Sequence, residues 1–87
     1  MDKEQIETNH IINCVGERLK FAMRKRRLLQ SQLSDATGIT QAVISHYIRG
    51  TRMPILRNLV KIADVLNVST DYLLGRIDNL EEENDDC

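Results

Sequence analysis

Gln30-Ser31-Gln32-Leu33-Ser34-Asp35-Ala36-Thr37-Gly38-Ile39-Thr40-Gln41-Ala42-Val43-Ile44-Ser45-His46-Tyr47 is the stretch on which the reading of this chain turns. It divides at Gly38 into two helices. The first runs from Gln30 to about Thr37 and stops at the residue that most cheaply takes a left-handed C′ conformation. Thr40 caps the next, from Gln41 to about Arg49, and Gly50 ends it in the same way. Leu33, Ile44 and Tyr47 are spaced to pack the pair together, Ser34 is small enough to let the backbones approach, and Ile39 fills the turn from beneath. With that inner face taken, Gln41, Ala42, Ser45 and His46 fall on the outer face. Short or amide-bearing side chains on an exposed helix, flanked by arginines, suit the major groove of DNA.

On the N-terminal side, Val15, Leu19, Ala22, Met23 and Arg26 keep an i, i+4, i+7, i+8, i+11 spacing and predict a first helix of about four turns. Asn13 is the expected N-cap, with Glu17 in the early turns and the basic Arg24–Arg27 at the negative end of the helix dipole. On the C-terminal side, Thr51-Arg52-Met53-Pro54 forms a turn. Ile55, Leu59, Ile62, Ala63 and Leu66 then repeat the same spacing in a fourth helix that Asn67 closes. Ser69 caps a last short helix carrying Asp71, Tyr72, Leu73 and Leu74 and ending at Gly75. No segment alternates at period two. The expected fold is all-α: five helices in one compact domain over 13–76, preceded by an N-terminal arm or helix extension (1–12) and followed by an acidic, disordered tail (77–87).

A chain of 87 residues is one small domain's worth, with no room for a catalytic unit beside a regulatory one. Its 12 basic and 13 acidic residues nearly balance, but they are partitioned along the chain. Residues 1–12 sum to −2, residues 13–62 to +8 and residues 63–87 to −7. A basic middle between acidic flanks points to a polyanion site. Cys14 and Cys87 have no ligand spacing, and His10 is the only histidine available to accompany His46, so neither a metal nor a cofactor is expected. No nucleophile–base pair or phosphate loop is recognisable, which argues against an enzyme. The apolar runs are too short to span a membrane and the first residues do not form a secretory signal, so a cytoplasmic protein with reduced thiols is expected. Cys14 reads as a small buried hydrophobe and Cys87 as a free terminal thiol.

The order and spacing of several motifs resemble a known family. They are Val15-Gly16-Glu17-Arg18-Leu19, Leu28-x-Gln30-x-x-Leu33, Gly38-Ile39-Thr40-Gln41, Ile44-Ser45-x-Tyr47-x-Arg49-Gly50, Pro54, Leu59-x-x-Ile62-Ala63-x-x-Leu66 and Val68-Ser69-x-Asp71-Tyr72-Leu73-Leu74-Gly75. Across roughly residues 14–75 the chain resembles the phage-repressor and Cro-like helix-turn-helix proteins, the XRE-type regulators. The resemblance implies a lambda-repressor-like five-helix domain that binds double-stranded operator DNA, often as a two-fold dimer on a pseudo-palindrome. It implies that Gln30 contacts a phosphate, that Gln41, Ala42, Ser45 and His46 face the bases, and that Thr51 and Arg52 touch the backbone. Thr40, Arg27 and Arg49 join the expected phosphate contacts, while Tyr72, Leu73, Leu74 and Ile77 are candidates for a homodimer surface. A sequence-specific transcriptional regulator, repressing and autoregulatory, is the leading reading. The alternative is a protein-interaction module, such as an antitoxin, that grips a partner through the last helix and tail.

Three departures from the family pattern carry structural expectations. Met23 and Ile48 stand where an arginine–glutamate pair is common, and an apolar contact between them is expected instead. Arg27 and Leu29 replace a glycine and an N-cap threonine between the first two helices. Thr37 occupies a usually apolar place, which should anchor the second helix less well.

Overall fold

The computed structural model describes residues 3–78, with side chains from Asn9 onward. Five helices follow in order: α1 Lys3–Arg26, α2 Gln30–Thr37, α3 Gln41–Arg49, α4 Leu56–Leu66 and α5 Thr70–Leu73. The described residues include no strand, and the chain has the all-α, five-helix architecture expected of it. Residues 79–87, which hold most of the acidic tail and Cys87, lie outside the described residues, as do Met1 and Asp2.

α1 is longer than the apolar spacing predicts. Residues 3–12 contain no glycine or proline to break a helix, and Ile11 and Ile12 are half-buried. The helix therefore runs back to Lys3, and Asn13 lies inside it and caps nothing. The shorter helices end as their residues dictate. Gly38 (φ 79°) and Gly50 (φ 76°) take the left-handed conformation after α2 and α3. The Thr40 hydroxyl accepts from the Val43 N–H at 3.3 Å, and the Ser69 hydroxyl accepts from the Tyr72 N–H at 3.0 Å.

Every helix contributes to one core. Leu19, Ala22 and Met23 from α1 meet Leu33, Ile39, Ile44 and Tyr47 from the α2–α3 unit, α4 adds Leu59, Ile62, Ala63 and Leu66, and α5 adds Tyr72 and Leu73. Burying a leucine or isoleucine side chain stabilises by about 1.5–3 kcal/mol. Ile55 does not join this face. It precedes α4 in extended backbone (φ −69°, ψ 158°), so the helical spacing does not reach back to it, and it is 56% exposed. Thr37 is better anchored than its polarity implies. Its hydroxyl donates to the Leu33 carbonyl at 2.7 Å and accepts from the Ile39 N–H at 3.2 Å, leaving the buried oxygen satisfied.

Two arginines of the basic middle fasten the fold. Arg18 donates to the carbonyls of Tyr72 (3.1 Å) and Ile77, reaches the Asp78 carboxylate at 3.3 Å, and lies 4.7 Å from the centre of the Tyr72 ring. It holds the chain through Asp78 onto α1, so Ile77 and Asp78 belong to the folded domain. Arg26 donates to the carbonyls of Leu66 (2.8 Å) and Asn67 (3.2 Å), placing a cation on the unpaired C-terminal carbonyls of α4.

α1 and α3 approach closely at Gly16. A Cβ there would lie 2.6 Å from the Ile48 carbonyl oxygen and 2.8 Å from that of Tyr47. Both are backbone atoms of α3 and cannot swing aside. Replacing glycine by alanine inside a helix normally favours the helix by up to about 1 kcal/mol. Here the clash should win. Gly16→Ala is expected to destabilise the domain by about 2 kcal/mol and to lower its melting temperature by roughly 10 °C, measured by circular dichroism. An alanine variant as stable as the parent would show that α1 does not press on α3 at this point.

Candidate nucleic-acid interface

The outward face of α3 is a consequence of what its inward face does. Ile44 is fully buried and Tyr47 nearly so, and the Tyr47 hydroxyl accepts from the Asn58 side-chain amide at 2.9 Å, tying α3 to α4. With 3.6 residues per turn, those anchors turn positions 41, 42 and 45 away from the core. Gln41 and Ala42 are exposed, and Ser45 and His46 are half-buried.

His46 is more engaged than a freely reading side chain. Its Nδ1 lies 2.8 Å from the Thr51 hydroxyl, which itself donates to the His46 carbonyl at 3.2 Å. The Nδ1 edge of the ring is therefore engaged within the protein in either tautomer. The Arg49 guanidinium is 3.4 Å from the same Nδ1. His46, Arg49 and Thr51 thus form one group at the C-terminal end of α3, with Arg52 exposed beside it in the turn.

The other expected phosphate contacts sit at helix starts. Thr40 is exposed and caps α3; Gln30 is half-buried and opens α2. The N-terminus of α2 lacks a capping side chain of its own because Leu29 has none to offer. Gln32 compensates from inside the helix, its amide oxygen accepting from the Leu29 N–H at 2.8 Å. Arg27, just before it, is exposed and held at φ 59°. A non-glycine residue there costs about 1–2 kcal/mol. Keeping a charged side chain where glycine would be cheaper fits a role for that charge. Met23 and Ile48 line one groove together with Lys20, Arg24, Arg27, Leu28, Leu29 and Gln30. The place of the family's ion pair is therefore apolar, and its rim is basic.

Two candidates for a homodimer surface are withdrawn. Leu73 is fully buried and Tyr72 is 4% exposed, because α5 is a single turn that turns both inward against α1 and α4. Leu74 and Ile77 are half-buried and pack against the core. Arg18 and Arg26, both counted in the basic middle of the sequence, hold backbone carbonyls 40 or more positions away. No local signal marks them, since their partners are distant in sequence.

Two packed helices joined by a glycine turn, the second offering a solvent-facing polar side, define a helix-turn-helix module. The helix-turn-helix family matches residues 19–73, and the chain belongs to it. An uncharacterised regulator of this type from Bacillus subtilis, YqaE, is 38% identical over 59 residues, 68% of this chain and 51% of the relative. The transcriptional regulator ImmR of the same organism is 37% identical over 71 residues, 82% of this chain and 55% of the relative. The transcriptional repressor RstR of cryptic phage CTXphi, from Vibrio cholerae, is 39% identical over 62 residues, 71% of this chain and 55% of the relative. The chain spans about half the length of these relatives. No solved structure matches it. The family and the names of these relatives point to a binding protein of gene regulation and not to an enzyme.

The strain at Arg27 gives a test that separates fold from interface. Arg27→Gly should raise stability by about 1 kcal/mol by removing the left-handed strain. The same change should weaken binding to any duplex and lower the slope of log affinity against log salt by about one. Chemical denaturation and salt-dependent anisotropy measure the two effects. A variant that is more stable and binds as well as the parent would remove Arg27 from the interface.

Proposed function

We propose that this chain is the DNA-binding domain of a transcriptional repressor that acts in the cytoplasm as a homodimer on a pseudo-palindromic operator. The observation that carries this reading is the outer face of α3. Gln41 and Ala42 are exposed, Ser45 and His46 are half-buried, and none of the four belongs to the core. α3 lies in the major groove. The Gln41 amide pairs with an adenine edge, Ala42 meets a thymine methyl, and Ser45 and the Nε2 side of His46 contact neighbouring bases. Gln30, Thr40, Arg27, Arg49, Thr51 and Arg52 hold phosphates and set the register. Two copies read half-sites about 34 Å apart, or a multiple of that distance. The naming of RstR, a relative 39% identical over 62 residues, as a transcriptional repressor supports the repressing role.

The first experiment is fluorescence anisotropy with a labelled duplex from upstream of the protein's own gene, against random duplex, at two salt concentrations. A preference for the upstream DNA that persists at the higher salt supports specific, autoregulatory binding. Equal weak binding that salt abolishes would leave only a basic face, and would favour a protein partner instead. The division of roles is tested on the preferred duplex. Gln41→Ala should lose about 1–3 kcal/mol there and relax the preference at one base pair. Arg52→Ala should weaken all sequences alike and reduce the salt slope by about one. Identical behaviour of the two variants on preferred and random DNA would contradict this assignment.

A further inference from the structure

The solvent side of α1 carries charge and apolar surface that the folded domain does not use. Lys20, Arg24, Lys25 and, just past the helix, Arg27 are exposed, and among the described residues none of them is paired with a carboxylate. Phe21 lies between them on the same side and is 47% exposed. A partner for this surface must bring one bulky apolar side chain and several negative charges. The chain's own sequence beyond Asp78 reads Asn79-Leu80-Glu81-Glu82-Glu83-Asn84-Asp85-Asp86, one apolar residue followed by five carboxylates in six positions. We propose that this acidic run docks on the solvent side of α1 and competes there with the phosphates of nucleic acid.

The point at which the run leaves the domain sets its register. Asp78 is held by the Arg18 guanidinium, and Asp78, Arg18 and Phe21 line one shallow depression. Leu80, two positions on, falls beside Phe21. Arg18, Phe21 and Arg24 follow in steps of three, a row of neighbours that winds along α1 toward its C-terminal end. Glu17, one turn to the N-terminal side of Phe21, is exposed and repels the run, so the favourable direction is toward Arg24. Arg24 is about 9 Å beyond Arg18 along the helix axis and Arg27 about 14 Å. Eight extended residues span roughly 26 Å, enough for that rise and for the turn around the helix. Glu81–Glu83 then meet Arg24 and Lys25, and Asp85 and Asp86 meet Lys20 and Arg27 at the rim of the groove over Met23 and Ile48.

Each such exposed pair contributes little alone. The tether offsets this, because it holds the run at an effective concentration in the mM range beside its site. The contact fades with salt, as surface ion pairs do. Its effect on DNA rests on the reading above in which Arg27 holds a phosphate: the run and a duplex cannot occupy Arg27 together. All duplexes are therefore weakened by the same factor, and most at low salt.

Docking is read first without DNA. In the full chain with Cys14→Ala, a nitroxide on Cys87 should broaden the amide signals of Lys20, Arg24, Lys25 and Arg27 at low salt, and high salt should remove the effect. Leu80→Ser, which leaves the charge unchanged, should weaken it. A neutral run (Glu81→Gln, Glu82→Gln, Glu83→Gln, Asp85→Asn, Asp86→Asn) should bind random duplex about fivefold more tightly than the parent at low salt, the factor for a run docked about four-fifths of the time. The two chains should converge at high salt, and Leu80→Ser should recover part of the gain, which a general effect of net charge would not do. Broadening that ignores both salt and Leu80→Ser would overturn the docking. Equal duplex binding by the neutral and parent chains would overturn the competition. Failure of every variant to bind duplex, with the salt-sensitive broadening intact, would overturn the DNA reading and uphold the docking.

Discussion

The arrangement of this molecule hangs on the contact between the backbone of α1 at Gly16 and the last carbonyls of α3. Both sides are main chain, so the separation is fixed by the absence of a Cβ and not by a side chain that could repack. The same crossing continues one turn away, where a Cβ on Gly50 would lie 2.9 Å from the Asn13 side-chain oxygen. α1 acts as a bar across the end of α3, and the buried Ile44 and Tyr47 fix the rotation of α3 about its own axis. Once that rotation is set, exposure of Gln41 and Ala42 follows from helical geometry. The outer face of α3 is an output of the core.

Electrostatics follows the same division. The basic middle of the sequence separates in three dimensions into cations that hold the fold and cations that are free to meet a polyanion. Arg18 and Arg26 each satisfy two backbone carbonyls, contacts that neutral-length side chains could not span. Hydrogen bonds from a charged donor are among the stronger ones a small domain has. Arg27, Arg49 and Arg52 stay exposed, the first of them at a strained backbone position. Net charge counted along the sequence therefore overstates the charge available to a ligand.

What the sequence made legible was local. The caps at Thr40 and Ser69 and the left-handed ends at Gly38, Gly50 and Asn67 are each decided by a few neighbouring residues, and they appear where those residues stand. So does the packing face of Leu33, Ile44 and Tyr47, because its period is set by the helix itself. The illegible features depend on distance or on missing signals. Residues 3–12 carry no breaker, so nothing announces where α1 begins. Arg18 meets partners 54 to 60 positions away. Three consecutive apolar residues at 72–74 do not say which of them faces inward, and only the approach of α1 and α4 decides it. Ile55 fits the spacing of α4 yet precedes its first turn. The candidate base-facing positions were legible because they are the complement of a readable core.

The central claim is that the face of α3 opposite Ile44 and Tyr47 is a surface for double-stranded DNA. The most direct measurement is a titration of isotope-labelled protein with a duplex enriched by selection on the protein, followed by amide chemical shifts residue by residue. The account predicts the largest changes at Gln30, Gln41, Ala42, Ser45, Thr51 and Arg52, with the buried faces of α1 and α5 unmoved. Changes confined to α4 and the last helix, with α3 silent, would contradict it.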